Sequence, residues 1–155
     1  MSKYFLESSA FLKRYKTETG SDVVNSLFNN RHDLFYLNLA IIEIRKVFYR
    51  LWKYPLQQDL QIAEEEFKTL NSRFAADLLQ MQRIEFTEEM IEQAVSILKR
   101  AWVPNIFDLA QLSAYLIAKQ EYSDMIFVCS DDRSKLIEGV KQFVQESDII
   151  VPGSI

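Results

Sequence analysis

Apolar residues along this chain recur at two periods, and the switches between them mark its elements. Residues 3–6 are a short, mostly apolar run, and a helix-period pattern follows to about residue 15. Glu7, Ser8 and Ser9 stand at the junction, where Ser8 or Ser9 can cap the helix through its side-chain oxygen. Thr19-Gly20-Ser21 breaks the chain, and Ser21 can cap a second helix to about residue 28. A second strand fits residues 34–37. In a third helix over 39–53, Ile41, Ile44, Val47, Phe48 and Leu51 form one face, with Glu43, Lys46, Arg50 and Lys53 opposite. Pro55 separates this from a fourth helix at 56–76, where Leu60, Ala63, Phe67, Leu70 and Phe74 repeat at three and four. Glu64, Glu65 and Glu66 lie outside that seam; consecutive helical residues point in different directions, so they make no metal cluster.

The second half repeats the alternation. Residues 81–86 suit a short strand, and Thr87 caps a helix over 88–100 whose first turn carries Glu88 and Glu89. Pro104 and Asn105 then open a helix that is apolar nearly all round to residue 118, with Asp108 at its third position in a capping-box-like start. Such a helix is buried, so an ionised Asp108 needs a partner, as a cap or in a second role. Residues 125–129 are continuously apolar, as in a strand covered on both faces, and lead through Ser130, Asp131, Asp132 and Arg133 into a helix to about residue 143. Residues 148–151 before Pro152 complete the pattern as an edge strand. Strands alternating with helices predict a three-layer α/β sandwich, a mainly parallel central sheet of four to five strands flanked by helices. With no internal repeat or linker, all 155 residues are expected to form a single domain.

Composition narrows the class. Three Gly and three Pro favour long helices over a many-turned β-fold. The lone Cys129 precludes an internal disulfide and suits a reducing, cytoplasmic setting, and no run approaches the length of a membrane span. A net charge of −4 argues against coating nucleic acid through bulk positive charge, though not against a local basic groove.

The candidate chemistry is acidic. Glu7 and Asp131 stand at strand ends, the edge where open α/β sheets bind ligands, while Glu43 and Asp108 stand on helices. Two carboxylates about 4 Å apart near a protein surface repel by roughly 4 kcal/mol, so gathering four calls for protonation or a cation. Oxygen donors without His or Cys companions point to Mg²⁺ or Mn²⁺, ions suited to phosphoryl chemistry. The stripe from Glu43 through Lys46, Arg50 and Lys53 reads either as a solvated face or as a carboxylate heading a basic track.

Tyr4-Phe5-Leu6-Glu7-Ser8-Ser9 with the following Lys13-Arg14-Tyr15, Glu18-Thr19-Gly20-Ser21, Ala40-Ile41-Ile42-Glu43, Phe107-Asp108-Leu109-Ala110-Gln111, and Val128-Cys129-Ser130-Asp131-Asp132 stand in this order along the chain. Together they resemble the PIN domain family, specifically its VapC-like toxin branch. The resemblance implies a Mg²⁺- or Mn²⁺-dependent endoribonuclease, usually homodimeric and often held inactive by a cognate antitoxin. It implies that Glu7, Asp108 and Asp131 bind metal and that Glu43 completes the site or orients the attacking water. Ser9 would fix a ligand by hydrogen bonding, and Asp132 is interchangeable with Asp131 under a one-residue shift. Lys13, Arg14, Lys46, Arg50 and Lys53 become candidate RNA contacts. Glu7 departs from the family's first Asp by one methylene, which leaves open a PIN-like module that has lost cleavage and binds RNA or protein. A receiver-like signalling domain would want an early acidic pair and a late Lys at a strand end; the chain has Glu7-Ser8 and Ser130-Asp131 there instead. His32 reads as a loop residue, Cys129 as a buried small hydrophobe, and Trp52, Tyr54 and Trp102 as core or interface.

Overall fold

The computed structural model describes residues 2–130 and 136–153. Five strands form one sheet: β1 (Lys3–Leu6), β2 (Asp33–Leu37), β3 (Gln82–Ile84), β4 (Ile126–Val128) and β5 (Ile149–Ile150), in the order β3-β2-β1-β4-β5. Every pairing is parallel, with Phe5 beside both Phe35 and Phe127. The chain first builds outward from β1 through β2 to β3, then returns to the other side of β1 for β4 and β5. The point where this order reverses lies between β1 and β4, and crevices at such points bind ligands at the strands' carboxyl ends.

Strand residues alternate faithfully between the two faces. Phe5, Phe35, Leu37, Phe127 and Cys129 enter one core with helices α5 (Glu88–Leu98), α6 (Ile106–Glu121) and α7 (Leu136–Val140). Leu6, Leu34, Tyr36 and Val128 enter the other with α1 (Ser8–Leu12), α2 (Ser21–Asn29), α3 (Ala40–Lys53) and α4 (Glu64–Leu79). The result is the predicted sandwich, helices on both faces of a parallel sheet.

The departures are local. The expected fourth helix breaks into a 3₁₀ turn at Gln58–Leu60 and a helix that starts eight residues late. Two features explain the shift: the acidic triplet forms the first turn of α4, where its charge suits the helix dipole, and the preceding segment finishes α3 instead. There Ile62 N–H donates to Leu51 O at 3.0 Å, and Gln61 Nε2 donates to Trp52 O at 2.7 Å. Leu60, expected in the seam, is exposed. The caps of the first two helices also differ: Glu7, not Ser8 or Ser9, caps α1, and Gly20 in a left-handed conformation precedes α2. A side chain at Gly20 would collide with the Pro152 backbone, its Cβ 2.6 Å from that carbonyl carbon. Ser21 Oγ meanwhile donates to Lys16 O.

Cys129 is fully buried, and His32 packs edge-on against Tyr4 at the sheet's amino-terminal side. Tyr54 and Trp102 lie outside the core, both more than two-thirds exposed. Among the described residues no helix is long and apolar enough to cross a membrane.

Candidate acidic cleft

Three elements deliver acids to one place. β1 ends at Leu6 and hands Glu7 to the sheet edge, where its N–H continues the ladder by donating to Val128 O at 2.9 Å. Glu43 comes from the first turn of α3 and Asp108 from the first turn of α6. Asn105 caps α6, its Oδ1 accepting from Phe107 N–H at 2.9 Å and Asp108 N–H at 3.1 Å, so the turn bearing Asp108 is fixed from outside. These acids line a cleft of about 480 Å³ together with Ser8, Ser9, Val47, Arg50 and Asn105.

The electrostatics match that crowding. Glu7 is buried, and desolvation, opposed by hydrogen bonds from Ser9 and reinforced by the charges of Asp108 and Glu43, pushes its carboxyl up to about 8. Glu43 is also raised, first by burial and further by Asp108, while donors from Gln111 and Ser8 pull it back.

Each glutamate is held by a serine beside it. Ser9 N–H donates to Glu7 Oε2 at 3.0 Å and Ser9 Oγ–H donates to the same oxygen, while Ser130 N–H donates to Ser9 Oγ at 3.2 Å. Ser8 Oγ–H donates to Glu43 Oε1 at 2.8 Å. From α6, Gln111 Nε2 donates both to Ser8 Oγ at 2.8 Å and to Glu43 Oε1 at 3.1 Å. Sequence reasoning missed Ser8 and Gln111 as site residues. The available signal was an amide inside the apolar stretch of that helix, one turn beyond Asp108 and on its face.

All-oxygen donors suit a hard divalent cation. Among the described residues, however, no three His, Cys, Asp or Glu side chains stand close enough to form a ready-made ion site. Glu7 spends one oxygen capping α1. Asp131 and Asp132 lie outside the described residues.

The chain is similar in structure to VapBC2 from Rickettsia felis, solved bound to a DNA fragment from their promoter, with a TM-score of 0.57 and 11% identity over 84% of this chain and 89% of that one. It is similar to PAE2754 from Pyrobaculum aerophilum, with a TM-score of 0.58 and 15% identity over 96% and 83%. FitAcB from Neisseria gonorrhoeae gives 0.59 and 11% over 88% and 92%. The fold is PIN-like. No family model matches the sequence, and no curated protein matches it. At these identities the likeness is one of fold, and the PIN-like architecture is what brings Glu7, Glu43 and Asp108 to one sheet edge.

The basic candidates separate into two groups. Arg50 lines the acidic cleft, and Lys46 and Lys53 stand exposed on the same helix. Lys13 and Arg14 are engaged within the fold. Lys13 Nζ donates to Thr19 O at 2.7 Å. Arg14 donates to Asn25 Oδ1 at 2.9 Å, pairs with Asp77 at 3.2 Å and lies over Phe28.

Proposed function

We propose that the protein is a Mg²⁺- or Mn²⁺-dependent endoribonuclease of the VapC-like toxin kind, hydrolysing RNA phosphodiester bonds in the cytoplasm. The observation that carries this reading is the convergence of Glu7, Glu43 and Asp108 on one cleft at the carboxyl edge of the parallel sheet. Glu7, Glu43 and Asp108, with Asp131 or Asp132 from the segment after β4, would hold the ion. A divalent ion held there supplies an activated water and neutralises the leaving oxyanion. Glu43, with Oε1 already fixed by Ser8 and Gln111, keeps its second oxygen to orient water. Arg50 at the cleft is the first phosphate contact, with Lys46 and Lys53 continuing the track along α3. Lys13 and Arg14 are left to hold the α1–α2 corner.

A cognate antitoxin follows from the same VapC-like resemblance, and so does a homodimer. For the homodimer, α5 offers a seam: Ile91, Val95 and Leu98 form an exposed apolar stripe. Glu88, Glu92 and Lys99 flank it on one side at helical spacing. Two such helices paired antiparallel about a two-fold axis set Lys99 of each copy between Glu88 and Glu92 of the other.

Incubating purified protein with a generic RNA and Mg²⁺, beside an Asp108→Asn variant, tests the nuclease reading. Cleavage by the parent, reduced about a hundredfold or more in the variant, is expected for a group that positions reacting atoms; equal cleavage by both would sink the assignment.

One observation favours a second reading, a PIN-like binding module without cleavage. Glu7 caps α1 through Oε2, and its carboxyl, raised to about 8, is largely protonated at neutral pH. Calorimetric titration with Mn²⁺ separates the two: heat of binding at one site supports the nuclease, and its absence supports the module.

A further inference from the structure

We propose that Ser8 and Gln111 are positioning residues that clamp the Glu43 carboxylate, holding Oε1 so that Oε2 faces the cleft. This rests on the metal-site reading above and adds to it two residues that line up behind one ligand rather than contacting the ion.

Three observations carry it. First, Gln111 is completely buried on a helix whose other inward positions are almost all apolar. A buried amide is unfavourable in such a setting unless its hydrogen bonds are met. Secondly, its contacts are one-sided: Nε2 reaches both Ser8 Oγ and Glu43 Oε1, while Oε1 of the amide has no hydrogen-bond partner among the described residues. The fold therefore keeps this amide for its donors, at the expense of its acceptor. Thirdly, Ser8 closes a triangle, accepting from Gln111 and donating to the same Glu43 oxygen. Three elements, α1, α3 and α6, are thus locked to one carboxylate oxygen, and the lock sets the rotamer of Glu43.

A core packing role predicts something different. Gln111 adds no apolar contact that methionine of the same length would not, and methionine removes the orphaned carbonyl. Packing alone would therefore leave Gln111→Met indifferent to metal. A clamp predicts a fold that melts at the parent temperature or above, yet with Mn²⁺ affinity reduced by about 10–100-fold, the usual consequence of removing an outer partner of a metal ligand.

The experiment uses the full chain. Calorimetry with Mn²⁺, thermal melting with a chelator present, and crystal structures are compared for the parent, Gln111→Met and Ser8→Ala. Weaker Mn²⁺ binding in both variants, with the Glu43 carboxylate turned to another rotamer and an undiminished melting temperature in Gln111→Met, is the expected result. Parent-like Mn²⁺ affinity in both variants would overturn the clamp. If the parent binds no Mn²⁺, it is the metal reading of the cleft that fails, and the clamp is decided by the metal-free crystals: a Glu43 rotamer unmoved in both variants refutes it, and a displaced one upholds it.

Discussion

Glu7 sits fully inside the protein at the point where β1 becomes α1, and two opposing effects meet on its carboxyl. Burial and neighbouring acids favour the neutral form, whereas the Ser9 donors favour the charged one, and burial wins. Since the folded pKa of about 8 exceeds the ordinary 4.5, the folded state holds a proton that the unfolded state has already lost between those values. Stability from this group is complete below about pH 4.5, falls as pH rises through the window, and is fully lost above about pH 8. Glu43 is shifted in the same direction and adds to the slope. In metal-free buffer, the melting temperature should therefore decline between pH 5 and 8, and Glu7→Gln should flatten that decline and raise the melting point at pH 8. A profile in Glu7→Gln as steep as in the parent would show that Glu7 is not the group responsible. The acids themselves were legible in the sequence, because an acid after an apolar run and an acid opening a buried helix both break a local pattern. The pose of Glu7 was not, since an extra methylene does not say whether the carboxylate reaches outward or curls back onto its own helix.

At the scale of elements, the chain's hydrophobic periods predicted every strand of the sheet and most of the helices. They failed where local signals competed, between α3 and α4. Seam-like spacing at Leu60 and Ala63 suggested a continuous helix, but Glu64, Glu65 and Glu66 act together as an N-terminal signal. The seam that survives is firmly built: Phe74 is fully buried and its ring meets Phe11, Tyr15 and Phe48 at centroid distances of 5.5, 5.6 and 5.9 Å. Phe74→Ala should cost about 3–5 kcal/mol of unfolding free energy by chemical denaturation, through lost burial and the cavity left among the rings. A cost below about 1 kcal/mol would mean that α4 is not anchored there.

For the whole molecule, the assembly prediction rests on the α5 stripe. Val95→Asp places a charge at the centre of the two-fold seam, while its exposed position keeps the core intact. Analytical ultracentrifugation should show a dimer for the parent and a monomer for the variant at unchanged melting temperature, and the double change Glu88→Lys, Lys99→Glu should restore pairing that Lys99→Glu alone weakens. A monomeric parent removes the seam.

By itself, the sequence determined the class of fold and named the acids that are candidates for its chemistry. Alternation of period-two and period-3.6 patterns dictates a parallel sheet between helices, and acids without His or Cys companions point toward a hard cation, because both readings follow from local spacing and side-chain type. Only the tertiary structure decided that Glu7, Glu43 and Asp108 share one cleft, that Arg50 rather than Arg14 joins them, and that Gln111 and Ser8 stand behind Glu43. Those outcomes depend on strand order and helix rotation, which are set by packing across residues more than thirty positions apart; a local window can single out an unusual residue such as Gln111 but not the partner it meets.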